Sequence, residues 1–191
     1  MTDKWIDTLH RDLILSTACQ YELNDCIDHA QELFQEWFDP SNNTTEINDR
    51  EIVYCTNMRL GNRTLFQFLL HQYQITNDLQ EISRLQLALA CTKDIQLIQY
   101  LLEIYFNPKI NIIQRQDIFS GIRLICRNSI AINECWSYIR SQWKYLLENF
   151  GQSLYFNQFI RDVTGKFNTE QQLSELEVFM EQTMDKVRSM F

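Results

Sequence analysis

The sequence predicts an all-α protein of about ten helices, a superhelical stack of antiparallel helix pairs. Three observations carry that prediction. Glycine occurs 4 times and proline 2 times in 191 residues, too few for turn-dense sandwiches, collagen-like repeats or low-complexity chains. Apolar residues recur at spacings of three and four through most of the chain, the period of a helix that buries one face. The interruptions are short and polar, so successive helices must reverse and pack on their neighbours, as a bundle or, in the favoured reading, as a right-handed stack. No strict repeat is visible, and the stack rests on helix length and spacing.

The apolar spacing places the first helices over 5–19 and 25–38, and the polar run Asp39-Pro40-Ser41-Asn42-Asn43-Thr44-Thr45 ends the second. Helices over 47–60, 63–74, 78–91 and 94–105 follow; Asn107-Pro108 closes the last, because proline pushes its preceding residue out of helical geometry. Three more span 111–126, 131–149 and 154–164. The final helix, 169–188, opens on Thr169 with Gln172 three residues on, the form of a capping box. Leu173, Leu176, Met180, Met184 and Val187 then share one face, which needs a partner surface. No internal linker interrupts the series, and residues 1–191 read as a single domain.

Composition excludes several classes. Apolar residues at 45% and aromatics at 13% give far more buriable surface than a disordered chain has. Lys and Arg total 17 against 25 Asp and Glu, a net charge of −8 without any basic run, so nucleic acid is not expected as a partner. No stretch approaches the roughly 20 apolar residues of a membrane span, and residues 1–20 lack the basic start and apolar centre of a signal peptide. This segment is therefore expected to make no membrane contact.

Chemistry has no visible seat. His10, His29 and His71 are far apart, and no His-Glu-x-x-His pair exists to hold zinc from one helical face. Gly61, Gly121, Gly151 and Gly165 form no nucleophile elbow, dinucleotide fingerprint or phosphate loop. Acidic residues are plentiful, but nothing singles out two as an acid and a base. No catalytic residue, metal ligand or cofactor is assigned to this chain. Trp5, Trp37, Trp136 and Trp143 fall on apolar faces as packing residues, and Met180, Met184 and Met190 serve as adaptable filler.

Six cysteines, Cys19, Cys26, Cys55, Cys91, Cys126 and Cys135, fit either scattered buried thiols or three bridges. Sequons at Asn42, Asn43 and Asn62 sit in or beside loops where a glycan is tolerated. Together the two signals favour an extracellular or lumenal setting.

Read in order, the chain resembles the C-terminal helical domain of zinc aminopeptidases of the aminopeptidase N and endoplasmic-reticulum aminopeptidase type. The residues that carry the likeness are Ala18-Cys19 through Cys26, Phe34-Gln35-Glu36-Trp37, Arg50-Glu51-Ile52-Val53-Tyr54-Cys55 and Ala88-Leu89-Ala90-Cys91-Thr92-Lys93. Ile113-Gln114-Arg115-Gln116-Asp117, Arg127-Asn128, Trp136, Trp143 and Phe167-Asn168-Thr169, leading into Leu173 and Phe179, complete the series. The resemblance implies a superhelix of HEAT- or armadillo-like pairs that caps a separate catalytic domain and encloses a peptide chamber. It also implies pairing of Cys19 with Cys26 and of Cys55 with Cys91, which leaves Cys126 and Cys135 as expected buried thiols.

The family's zinc motif and its Gly-x-Met-Glu-Asn motif are absent from these residues. The resemblance thus implies zinc in a catalytic domain elsewhere, a chain inactive alone and a domain truncated at both ends relative to the family. It points to the extracellular face of the plasma membrane or the secretory lumen. The function it implies is a non-catalytic chamber domain that encloses and orients peptides while a catalytic domain, in the same or a separate chain, removes N-terminal residues. The alternative is a stand-alone helical-repeat binding module or a truncated inactive homologue. Peptide contact is expected at Arg115, Arg123 and Arg127, because guanidinium groups fix carboxylates in orientation. Arg123 and Arg127 share a helical face, and Arg115 joins the stripe two turns earlier if the helix reaches it. The competing expectation is that these arginines pair with surface acids such as Asp117.

Overall fold

The computed structural model describes residues 4–38, 49–107, 109–110, 112–152 and 156–188, without the side chains at 4, 5, 157 and 184–188. Among them the chain is all-α. The helices are α1 Lys4–Gln20, α2 Asn24–Phe38, α3 Arg50–Leu60, α4 Arg63–Ile75, α5 Leu79–Ala90 and α6 Ile95–Phe106. A 3-10 turn at Arg115–Asp117 precedes α7 Ile118–Arg127, α8 Ile132–Ser141, α9 Trp143–Phe150, α10 Phe156–Thr164 and α11 Glu170–Arg188. Two compact units, residues 1–101 and 102–191, divide within α6.

In the first unit α3 is the central helix, packed on α2 and α5, and α4 packs on α5. Every residue from Val53 to Met58 is buried, so α3 has polar groups inside that need partners. Asn57 finds them: its amide nitrogen donates to the carbonyls of Ala30 at 2.9 Å and Val53 at 2.8 Å. Tyr54, Met58, Phe66, Leu69, Leu85, Leu89 and Ile98 of this unit are all buried. The helix starts are capped by side chains. Asn62 accepts from the N–H groups of Thr64 and Leu65 at 3.0 and 3.2 Å, and Asp78 from that of Gln80 at 2.9 Å, satisfying donors that a helix leaves orphaned. Cys19 is bonded to Cys26 across the α1–α2 turn, and Cys55 to Cys91 between α3 and the end of α5.

In the second unit α7 packs on α8 and α10. Ile122, Ile125, Trp136, Ile139, Leu146 and Phe159 form its core. Gly121 lets Tyr105 lie directly on α7: a Cβ built there overlaps the hydroxyl edge of the Tyr105 ring. Phe179 of α11 stands edge-on to two indoles, its ring centroid 5.0 Å from Trp136 and 4.9 Å from Trp143.

Four expectations need correction. The helix placed over 111–126 starts late: Gln114 is extended, Arg115–Asp117 is a 3-10 turn, and only Ile118 onward is α-helical. The helix placed over 131–149 is two helices that meet at Gln142. At the junction the Tyr138 carbonyl accepts from both the Ser141 hydroxyl, at 2.7 Å, and the Gln142 N–H, at 3.0 Å. The apolar phase nevertheless runs through the break, from Trp136 to Trp143 and from Ile139 to Leu146, so periodicity sees one helix.

The third correction concerns α11. Its capping box forms as expected, with Gln172 N–H donating to the Thr169 hydroxyl at 3.2 Å and Thr169 N–H to the Gln172 side-chain Oε1 at 3.3 Å. The buried face, however, carries Gln172 and Phe179, while Leu173 and Met180 are exposed. Gln172 also donates to Asn133 of α8 at 2.8 Å, and that bond together with the Phe179 seat rotates the apolar stripe outward. Met180 is therefore no core filler; Met190 and the side chains of Trp5, Met184 and Val187 lie outside the described residues. Fourth, Cys126 and Cys135 are bonded to each other between α7 and α8, not left as thiols.

Candidate functional site

The 3-10 turn, α7, α9 and α10 position the three arginines. Arg115 stands off α7 and does not join a stripe. Its guanidinium donates to the Asn149 carbonyl at 2.9 Å and lies 5.1 Å above the Phe150 ring centroid. It thereby caps the carbonyl end of α9, where a cation also meets the negative pole of the helix.

Arg123 and Arg127 do share a face of α7. Arg123 donates to Asp162 of α10 at 2.9 Å. Asp162 also accepts from Gln158 at 2.7 Å. The Gln158 bond, then Arg123, then the more distant charge of Arg127, hold the Asp162 carboxyl below its ordinary value. Arg127 is exposed one turn beyond. Asp117, the acid the sequence offered as a partner, is not the one Arg123 takes; burial instead raises its carboxyl above the usual value. Sequence reasoning missed Asp162 and the Asn149 carbonyl, because both partners lie more than thirty residues from the arginines they meet. The resulting surface has two cations sharing one acid, which leaves positive charge at Arg127.

A second charged group lies in the first unit. Glu81 of α5, with its side chain 10% exposed, accepts from Tyr54 at 2.7 Å, Arg50 at 3.2 Å and Arg84 at 3.3 Å. Burial first, and the Glu81 bond second, hold the Tyr54 phenol well above its ordinary value. A shallow cavity of about 240 Å³ beside it is lined by Trp37, Gln72, Thr76 and Asp78. Both arginines pair with Glu81, so this knot ties α3 to α5.

Of the sequons, Asn62 is exposed and already accepts two backbone bonds through its oxygen, while Asn42 and Asn43 lie outside the described residues. Among the described residues no three of His, Cys, Asp and Glu converge on a point that could hold a metal. No helix among them is long and apolar enough to cross a membrane.

Comparison with known proteins places these features in a family. Residues 2–189 match the family model described as ERAP1-like C-terminal domain. Aminopeptidase N of Oryctolagus cuniculus is 35% identical over 185 residues, which cover 96% of this chain and 19% of that protein. Aminopeptidase N of Bos taurus is 36% identical over 173 residues, 90% of this chain and 18% of that protein. Glutamyl aminopeptidase of Rattus norvegicus is 34% identical over 179 residues, 93% of this chain and 19% of that protein. The chain thus spans about a fifth of the length of the curated relatives it matches. Matched from end to end by one family model, the chain belongs to the ERAP1-like C-terminal domain family.

Proposed function

We propose that the chain serves as a non-catalytic substrate-chamber domain of a zinc aminopeptidase, enclosing and orienting peptides during removal of their N-terminal residues. The observation that carries this reading is the match of residues 2–189 to a C-terminal domain whose similar proteins are aminopeptidases about five times longer. The zinc and the exopeptidase residues would then belong to the catalytic domain, and peptides and that domain are the partners. Arg127 is the peptide-contacting residue, because it presents charge at the surface. Arg123 stands behind it, held by Asp162, and Arg115 braces α9. The paired cysteines fit an extracellular or secretory-lumen setting, and Asn62 is the glycan acceptor on the described surface.

The test joins residues 1–191 to the catalytic part of a matching aminopeptidase. Arg127→Ala should lower kcat/KM for long peptides about tenfold, the weight of one charge-assisted bond, and leave aminoacyl anilides unchanged. An equal change for both substrate classes would remove Arg127 from the substrate path.

A further inference from the structure

The cavity beside Glu81, where the ends of α2 and α4 meet the starts of α3 and α5, carries polar groups that neither the packing nor the proposed role uses. Its volume, about 240 Å³, lies below the roughly 300–1,000 Å³ of pockets for drug-sized ligands, so an occupant is small. Trp37 and Leu85 are the apolar part of the lining, and Arg50, Gln72, Thr76, Asp78 and Glu81 are the rest. The Trp37 indole is held by the rings of Phe34, Tyr54 and Phe68, whose centroids lie 5.4, 4.6 and 5.3 Å from its own. It is a platform fixed before any ligand arrives.

Which polar groups are already engaged decides what the cavity can take. Both oxygens of Glu81 accept, one from Tyr54 and the other from Arg50 and Arg84. Asp78 uses only one: Oδ1 accepts from the N–H groups of Gln80 and Glu81 at 2.9 and 3.5 Å, and Oδ2 takes no bond among the described residues. The Thr76 hydroxyl oxygen accepts from the Asp78 N–H at 3.2 Å, which leaves its hydrogen to donate. The Gln72 side chain, with two donors and a carbonyl oxygen, makes no hydrogen bond among the described residues. An anion would meet the open Asp78 oxygen, a cation would meet Arg50, and a wholly apolar ligand would strip water from all four groups without replacing it. What matches the wall is a neutral group with donors and acceptors side by side.

We propose that this cavity binds a neutral polyhydroxylated ring, a single sugar residue. Neighbouring hydroxyls bridge Asp78 Oδ2 and the Gln72 amide, one donating and the other accepting, and a further oxygen accepts from Thr76. The C–H face of the ring lies on the Trp37 indole, because C–H bonds carry the weak positive charge that the negative face of an aromatic ring attracts. This inference stands apart from the chamber role, and neither falls with the other.

The experiment uses the whole chain with mannose and galactose, each free and as its methyl glycoside, and with acetate and choline as charged controls. The readout is the Trp37 indole N–H signal in nitrogen-proton spectra, assigned by its loss in Trp37→Phe, with the other tryptophans as internal reference. At least one sugar should shift that signal saturably with a Kd of about 1–10 mM, the range expected of a ligand of about twelve heavy atoms. Binding of a methyl glycoside makes the ligand the terminal residue of a glycan, and binding of free sugars alone makes it a free monosaccharide. Asp78→Asn keeps an oxygen to cap α5 but replaces the open acceptor with a donor, so it should weaken the sugar about tenfold while the fold stays intact. In the wild type, saturating the aromatic protons should mark the ring C–H protons of the bound sugar, a readout that needs no variant. No shift with any sugar at about 50 mM, no transfer to the sugar ring, an equal shift with acetate or choline, or unchanged affinity in Asp78→Asn would overturn the proposal.

Discussion

Replacing Glu81 tests whether the charged knot of the first unit stabilises the fold or merely occupies it. Glu81→Gln keeps the shape and an acceptor for Tyr54 but removes the charge from between Arg50 and Arg84, at 3.2 and 3.3 Å. Stranding a fully buried ion costs about 3–5 kcal/mol, and an exposed pair is worth about 0–1. Both arginine side chains are 31% exposed, so water recovers much of the loss, and about 2 kcal/mol is expected for the substitution. Glu81→Ala should cost about 2 kcal/mol more, because it also strands the buried Tyr54 hydroxyl. Tyr54→Phe should cost about 2 kcal/mol in the wild type and about half that beside Glu81→Gln, since neighbours in one network are not additive. The assay is urea denaturation followed by tryptophan fluorescence, to which Trp37, 4.6 Å from Tyr54, contributes the signal of this site. A Glu81→Gln midpoint unchanged at constant slope, or strict additivity of the pair, would refute the reasoning.

Gly121→Ala pits helix propensity, worth about 1 kcal/mol in favour, against overpacking on the buried Tyr105 ring, worth about 1–3 against. A net loss of about 1 kcal/mol is expected by denaturation, partly rescued by Tyr105→Leu; a gain would show that the ring yields freely. The depressed Asp162 carboxyl contributes stability that is present above the ordinary aspartate value of 3.8 and is lost as pH falls through its folded value. Thermal melts of wild type and Asp162→Asn should therefore converge on acidification. Asp117, raised by burial, has the opposite sign: Asp117→Asn should stabilise at neutral pH and lose that advantage below the ordinary carboxyl range. Non-reducing peptide mapping of secreted protein should recover three linked pairs, and substantial free Cys126 and Cys135 would contradict the third bond. Enzymatic deglycosylation in oxygen-18 water should convert Asn62 to labelled aspartate, and Asn62→Asp should keep the helix cap while losing the glycan.

Helices were legible because their signals are local. Apolar spacing, the Asn107-Pro108 stop and the Thr169–Gln172 box each lie within a few residues, and the box forms as its residue types require. The break at Gln142 was not legible. It carries no glycine or proline, and the residues on either side stay in helical phase, so no local signal marks it. The facing of α11 was illegible for a different reason. Its most apolar stripe holds Leu173 and Met180, but a helix turns toward the contacts that fit best, and Phe179 between two indoles outweighs a less shaped apolar surface.

The candidate site shows the same division between local and distant information. Four-residue spacing placed Arg123 and Arg127 on one face correctly, because that geometry belongs to the helix itself. What each arginine does depends on α9 and α10. Asp162 is thirty-nine residues from Arg123 and follows several polar loops, so no spacing rule could nominate it over the nearby Asp117. Yet that choice decides the chemistry: an arginine held at 2.9 Å by a carboxylate is a brace, and its neighbour one turn on stays exposed. A cluster read from sequence as three equal cations thus divides into two that hold the helices in place and one that faces outward. The substitution that separates these roles is Arg123→Ala beside Arg127→Ala. The first should lower the melting temperature, while the second leaves the fold intact and changes only what the surface attracts.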